Sequence, residues 1–184
     1  MRLLILRSVA TKDLLLSDCV LVAAILLFSL TVNAEAGEMK ITSPEFEHNQ
    51  SIPSKFTCEG SDINPALEIS GIPDAAQELA LIMDDPDAPM GTWVHWVVYN
   101  IPLVGRIEED SIPGTQGSNT LNKKPYHGPC PPSGTHRYFF KIYALDKKLN
   151  LPEGLSKAAL EKAMQGHIIG KAELVGLYKK AGSR

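Results

Sequence analysis

Three short stretches gather carboxylates, histidines and a tyrosine at spacings that suit acid/base or anion chemistry. The first is Asp84-Asp85-Pro86-Asp87-Ala88-Pro89. In extended backbone Asp85 and Asp87 point to one side, and neighbouring carboxylates repel, so at least one calls for a donor partner. Prolines around Asp87 fix φ and remove backbone donors, which bars the stretch from ordinary central strand. A solvated turn with acidic caps is the plain alternative. The second stretch is Gly91-Thr92-Trp93-Val94-His95-Trp96-Val97-Val98. Strand alternation sets Trp93, His95 and Val97 on one face and Val94, Trp96 and Val98 on the other. A histidine flanked by tryptophans is shielded from water. It is either a satisfied core residue or part of a pocket wall, with an aromatic floor and a carboxylate holding its tautomer. The third stretch runs from Tyr126 through Gly128, Cys130, Pro131 and Pro132 to His136-Arg137-Tyr138. Alternation puts His136 and Tyr138 on one face and Arg137 on the other. Loop N–H groups near Gly128, the two histidines His127 and His136, and a tyrosine hydroxyl can together coordinate a small anion. The alternative is a tight turn with a structural arginine.

Short strands must hold these residues. Gln77–Met83 is a continuous apolar run closed by acidic residues and Pro86, the pattern of a strand buried on both faces. Thr92–Ile101 and Arg137–Leu145 are rich in aromatic and β-branched residues and read as strands, with further strands at Leu67–Ser70 and Ala172–Tyr178. Ser156 caps a helix whose apolar stripe is Ala159, Leu160, Ala163 and Met164, and Gly166 stops it. Gly and Pro mark the loops between, notably Gly105–Tyr126. Strands without regular helical crossovers predict an antiparallel or mixed sandwich.

The 184 residues make one domain plus a terminal segment. With 44% hydrophobic and 21% charged residues, the chain is not disordered or collagen-like. A net charge of -3 excludes a general nucleic-acid binder, which needs a concentrated basic face. Residues 1–38 differ from the rest. Arg2, Arg7 and Lys12 precede the uncharged run Val20–Val32, and the small-residue patterns Val32-Asn33-Ala34 and Ala34-Glu35-Ala36 follow. This is the layout of a secretory signal peptide. The run has 13 residues, short of the ~20 of a membrane span. A retained N-terminal anchor, touching a membrane through this segment alone, is the competing reading. A start at Met39 would instead leave the protein cytoplasmic. Export makes the product periplasmic or secreted. Cys58 and Cys130 remain in the body, and an even count in an exported chain permits a disulfide. Such a bond would stabilise the fold by roughly 4 kcal/mol in the loop-entropy description. Two free buried thiols are the alternative. No metal-ligand spacing is present, and no cofactor is expected.

Together the three stretches resemble the phosphatidylethanolamine-binding protein family, in particular its bacterial and archaeal Raf-kinase-inhibitor-like branch. The resemblance rests on Asp85-Pro86-Asp87-Ala88-Pro89, His95-Trp96, and Gly128 to Tyr138 with Pro131-Pro132 and His136-Arg137-Tyr138. The early loop Phe56–Leu67 adds to it, and similarity runs from about Met39 to Lys180. It implies a mainly β sandwich over residues 39–180, a large central sheet packed on a smaller one with few peripheral helices, and a tail at 181–184. It also implies a pocket lined by Asp85, Asp87, Pro89, His95, Gly128, Pro131, Pro132, His136 and Tyr138 that takes phosphate-like anions or phosphorylated headgroups. Eukaryotic members close this pocket with a C-terminal helix. Here a strand-like segment and a short basic tail stand in that place, so a more open pocket is expected. The reading that follows is a ligand-binding module, regulating or inhibiting a protein partner such as a kinase or protease, with a homodimer left open. In it the anion accepts hydrogen bonds from His95, His136 and loop N–H groups, while Asp85 and Asp87 orient the histidines or receive an amine. The rival is a hydrolase using the Asp/His cluster for acid/base chemistry, with Ser133 or reduced Cys130 as nucleophile.

Overall fold

The computed structural model describes residues 38–182. The apolar run and cleavage patterns of the N-terminal segment lie outside the described residues, as do the last two residues of the tail. The strands are β1 (Lys40–Thr42), β2 (Gln50–Ser51), β3 (Leu67–Ser70), β4 (Glu78–Asp85), β5 (Trp93–Ile101), β6 (Arg106–Ile107), β7 (Thr115–Gln116), β8 (His136–Leu145) and β9 (Ile168–Tyr178). One α-helix, α1 (Lys157–Met164), stands between β8 and β9. Six strands form a large sheet in the order β2-β9-β8-β4-β5-β7, and β1-β3-β6 form a smaller one. All pairings are antiparallel except β2 with β9. The expected mainly β fold, a large sheet with a smaller partner, is the one observed. Among the described residues no helix is long and apolar enough to cross a membrane.

Strand β4 organises both cores. All eight of its residues are buried. Leu79, Leu81 and Met83 join Trp96, Val98, Phe140 and Ile142 of the large sheet and Ile41, Leu67 and Ile69 of the small one. Ala80 and Ile82 face the other way, where Val97, Tyr99, Leu160 and Met164 meet. Helix α1 covers this second face. The Ser156 Oγ accepts the Ala159 N–H, and Gly166 takes a positive φ just past the helix end.

Two boundaries differ from the sequence expectation by more than one residue. β9 starts at Ile168 rather than Ala172, because Ile168 and Gly170 still pair with Leu145 and Ala144 of β8. Gly170 suits that place: a Cβ there would sit 3.0 Å from Pro73 and 3.2 Å from the Met39 sulfur. β4 runs two residues past Met83, through Asp84 and Asp85. Both carboxylates stay in the ladder because partners wait on opposite faces. Asp84 lies on the helix side, 2.7 Å from Lys141 Nζ and 2.5 Å from Lys157 Nζ. Its side chain is 1% exposed, against 27% and 23% for the lysines.

That difference in exposure sets an asymmetry. With the carboxylate neutralised, the lysines can turn to water. With the lysines gone, a charge is stranded below the surface, which costs several kcal/mol. Asp84→Asn should therefore lose about 1–2 kcal/mol, and Lys141→Met with Lys157→Met about 3 kcal/mol or more, in urea unfolding. Equal losses would show that Asp84 does not depend on the two lysines.

Candidate functional site

The C-terminal end of β4 and the N-terminal ends of β5 and β8 meet at one end of the large sheet. Asp85, Trp93 and His136 therefore converge there by strand register alone. Asp85 follows Asp84 and so faces away from the helix. Its Oδ2 accepts the His136 Nδ1–H at 2.7 Å, with both side chains almost fully buried.

A β-bulge places His95. Met83 pairs with Trp96 but Asp84 pairs with Val94, so His95 is an extra residue in β5. Straight alternation would group Val94 with Trp96 and Val98. Instead Val94 packs with Val97 against the helix-side cluster, while Trp96 and Val98 enter the core between the sheets. The bulge turns His95 toward Tyr138, their rings edge to face at 5.2 Å. His95 Nδ1 lies 2.6 Å from the His127 carbonyl oxygen, and the His127 N–H donates back to the His95 carbonyl at 3.3 Å. A carbonyl only accepts, so Nδ1 carries the proton. Burial pushes the His95 pKa down to about 4, against the weaker upward pull of the His127 carbonyl.

The third wall is the loop from Tyr126 to Pro132, strapped to the loop that follows Phe56. The Tyr126 hydroxyl donates to the Phe56 carbonyl at 2.8 Å, and the Cys58 N–H donates to the Pro129 carbonyl. Asp62 accepts the Gly128 N–H at 2.6 Å and holds His127 Nδ1 at 3.3 Å. Cys58 and Cys130 form a disulfide. Gly128 has to be glycine: a Cβ would lie 2.3 Å from the Phe56 carbonyl oxygen. The His127 ring stacks over His95 at 6.0 Å.

These walls enclose a pocket of about 360 Å³. Of the residues expected there, Asp85, Pro89, His95, Pro131, Pro132, His136 and Tyr138 line it. Asp87 and Gly128 do not. The chain turns at Pro86, so Asp87 does not stay on the Asp85 side. Its N–H caps Asp85 Oδ1 at 2.8 Å, and its carboxylate accepts the Arg137 backbone N–H together with the Nε–H and Nη2–H of one guanidinium edge. Arg137 holds the Asp87 pKa down to about 2, and Asp87 orients no histidine. The Gly128 N–H is committed to Asp62 and is not free for an anion.

The site set also missed members. His127, an anion partner in the third stretch but absent from the pocket set the resemblance implies, lines the pocket with Trp93, Ala88, Met90 and Cys130. Asp62 lay in the early loop, and no local signal in its own stretch linked it to Gly128. Tyr138 sits at the pocket base, fully buried, and its hydroxyl has no hydrogen-bond partner. The Cys130 backbone lies toward it without reaching bonding geometry. Burial, then the Asp85 charge, raises the Tyr138 pKa, so the hydroxyl keeps its proton. Among the described residues, none after Tyr138 lines the pocket.

Ser133 is exposed and outside the lining, and the Cys130 sulfur is bonded to Cys58. Neither offers a nucleophile to the pocket as it stands. Among the described residues no cluster of three His, Cys, Asp or Glu side chains is arranged to hold a metal ion. A wider groove of about 710 Å³ runs along Lys40–Thr42 and Lys171–Glu173. Its titratable lining is Glu38, Lys40, Lys141, Tyr143, Lys171 and Glu173, with no histidine among them.

The family model described as "Phosphatidylethanolamine-binding protein" matches residues 42–179. A UPF0098 protein of Pyrococcus horikoshii is 50% identical over 159 residues, covering 78% of this chain and 80% of its own. A UPF0098 protein of Methanothermobacter thermautotrophicus is 46% identical over 153 residues, covering 77% and 99%. Among solved structures, a phosphatidylethanolamine-binding protein homolog of Chlamydia trachomatis superposes with a TM-score of 0.76 at 44% identity, covering 78% and 98%. YbcL of E. coli superposes with a TM-score of 0.72 at 29% identity, covering 78% and 99%.

The depressed His95 pKa has a sign. Unfolded, the ring takes a proton as pH falls below about 6.5; folded, it resists until about 4. The stability tied to the neutral ring is complete above pH 6.5 and is lost as pH falls through that window, by ~3 kcal/mol in all. Imidazole NMR should show His95 as the neutral Nδ1–H form down to about pH 5. Unfolding free energy should fall more steeply between pH 6.5 and 4 in the wild type than in His95→Gln. A His95 midpoint near 6.5, or an Nε2–H signature, would contradict this assignment.

Proposed function

Because this chain belongs to the phosphatidylethanolamine-binding protein family, a generally ligand-binding family, we propose that its pocket binds phosphate or a small phosphorylated headgroup. The observation that carries this reading is the convergence of His95, His127 and His136 at the polar base of a pocket otherwise walled by Pro89, Met90, Trp93 and Pro131. An apolar wall excludes water and strengthens the few polar contacts beneath it. Asp85 orients His136 by taking Nδ1–H, which leaves Nε2 for the ligand. Protonated, that nitrogen donates a charge-assisted hydrogen bond to an oxyanion. Asp85 is already occupied by His136 and the Asp87 N–H, so it is a poor seat for a ligand amine. A few such bonds leave an affinity on the order of micromolar to millimolar after the costs of association. The unpartnered Tyr138 hydroxyl, a donor at the pocket base, fits a site that is completed by its ligand. Export of the protein after cleavage of residues 1–38 belongs to the same reading, and a Cys58–Cys130 disulfide suits an oxidising compartment.

An NMR titration with phosphate, phosphoethanolamine and a phosphorylated nucleotide tests the reading. Saturable shifts should centre on His95, His127 and His136, and His136→Ala should abolish them. Tyr138→Phe separates the roles of that residue. Its hydroxyl bonds nothing in the protein, so stability should hold or rise by up to about 1 kcal/mol while ligand affinity drops. Absence of saturable shifts with all three ligands would end the anion reading.

A further inference from the structure

Resting on the anion-pocket reading, we propose that the pocket selects an oxyanion that still carries a proton, and that His95 is the residue that enforces the choice. His95 Nδ1 donates to the His127 carbonyl at 2.6 Å, and the ring is 3% exposed. The groups that face it come from every neighbouring element: Asp85 from β4, His136 and Tyr138 from β8, His127 from the strapped loop, and Asp62 behind that loop. Both carboxylates are taken. Asp85 holds His136 and the Asp87 N–H, and Asp62 holds Gly128 and His127. The charge of each still pulls the His95 pKa upward, but burial outweighs that pull and the ring stays neutral.

Nε2 therefore presents a bare lone pair. No hydrogen bond within the described residues engages it, and it is not among the buried atoms left without a partner, so it opens to the pocket. A ligand atom set against it must be a donor. A fully deprotonated oxyanion would bring lone pairs against a lone pair, while a P–O–H group donates into it. His136, when protonated, serves the remaining oxygens from the other side of the base. The site thus offers one acceptor and at least one donor, which is the complement of a protonated phosphoryl group. A site built to pair a ligand proton rejects the analogue that lacks it, here by about tenfold to a hundredfold.

Three anions read this directly in calorimetric titrations of the whole exported chain at pH 5.0 and pH 8.5. Inorganic phosphate keeps a proton at both pH values. Methyl phosphate loses its last proton at about pH 6. Sulfate has none. Comparing the three anions at one pH holds the protein's own charge state the same for all of them. Phosphate should exceed sulfate by about tenfold or more at both pH values. Methyl phosphate should match phosphate at pH 5.0 and fall to the level of sulfate at pH 8.5. His95→Gln, whose amide can donate, should narrow the gap between phosphate and sulfate; the wild-type series decides the matter even if that variant does not fold. Equal binding of phosphate and sulfate would overturn the selection while leaving an anion pocket. No binding of any of the three would overturn the pocket reading and this inference with it.

Discussion

Strand β4 is buried on both faces, yet it ends in two adjacent carboxylates, and much of the surrounding structure follows from that constraint. Buried carboxylates are tolerated only with partners. Strand parity separates the two, so one set of partners cannot serve both. Asp84 draws Lys141 from β8 and Lys157 from the first turn of α1, which ties the helix to the sheet. Asp85 draws His136, the first residue of β8. The same ladder that buries the core thus fixes the imidazole of the pocket by register. His136 needs no loop to place it, and rigid elements place functional groups more accurately than loops do.

The opposite wall has no such ladder. Residues 126–132 form no strand or helix, and a loop at a sheet end is where local opening is easiest. Here it is tied down many times over. Tyr126 packs edge-on against Trp96 and bonds the Phe56 carbonyl, Asp62 takes the Gly128 N–H, and Cys130 is bonded to Cys58. The reciprocal backbone and ring bonds between His95 and His127 then join this wall to β5. Each tie engages a different atom, so no single contact positions His127. Ordering the loop in the free protein lowers the entropic cost of ligand binding.

Much of this was legible in the amino-acid order. The unbroken apolar run before Asp84 marked a strand buried on both faces, and the Ser156 to Gly166 pattern marked the helix. Alternation placed His136 and Tyr138 together and Arg137 apart. What failed has physical causes. Alternation assumes an unbulged ladder, and the extra residue at His95 is visible only once β4 and β5 are paired. Extended backbone would set Asp87 on the Asp85 face, but Pro86 begins a turn and Arg137 captures the side chain. A glycine in a Pro-rich loop suggests free N–H groups for an anion, whereas the value of Gly128 is its absent Cβ. Asp62 is 66 residues from Gly128, and no local pattern encodes a contact of that range. Strands of two or three residues, such as β2, β6 and β7, are too short to show a period.

The ownership of protons separates holding a ligand from converting one. A histidine that relays protons usually rests its Nδ1–H on a carboxylate, which stabilises the imidazolium formed in the reaction. His95 rests on a carbonyl, inside a buried site, and is thereby held neutral. His136 does have its carboxylate, but no side-chain hydroxyl or thiol of the pocket stands ready for it to activate: Ser133 lies outside, and the Cys130 sulfur is spent in the disulfide. The Tyr138 hydroxyl keeps its proton more firmly than free tyrosine does. The pocket base therefore holds the His95 acceptor and the Tyr138 donor beside the imidazoles of His127 and His136. That set can match the charge and the protons of a small anion. Those proton positions are what the proposed retention of a small anion would draw on.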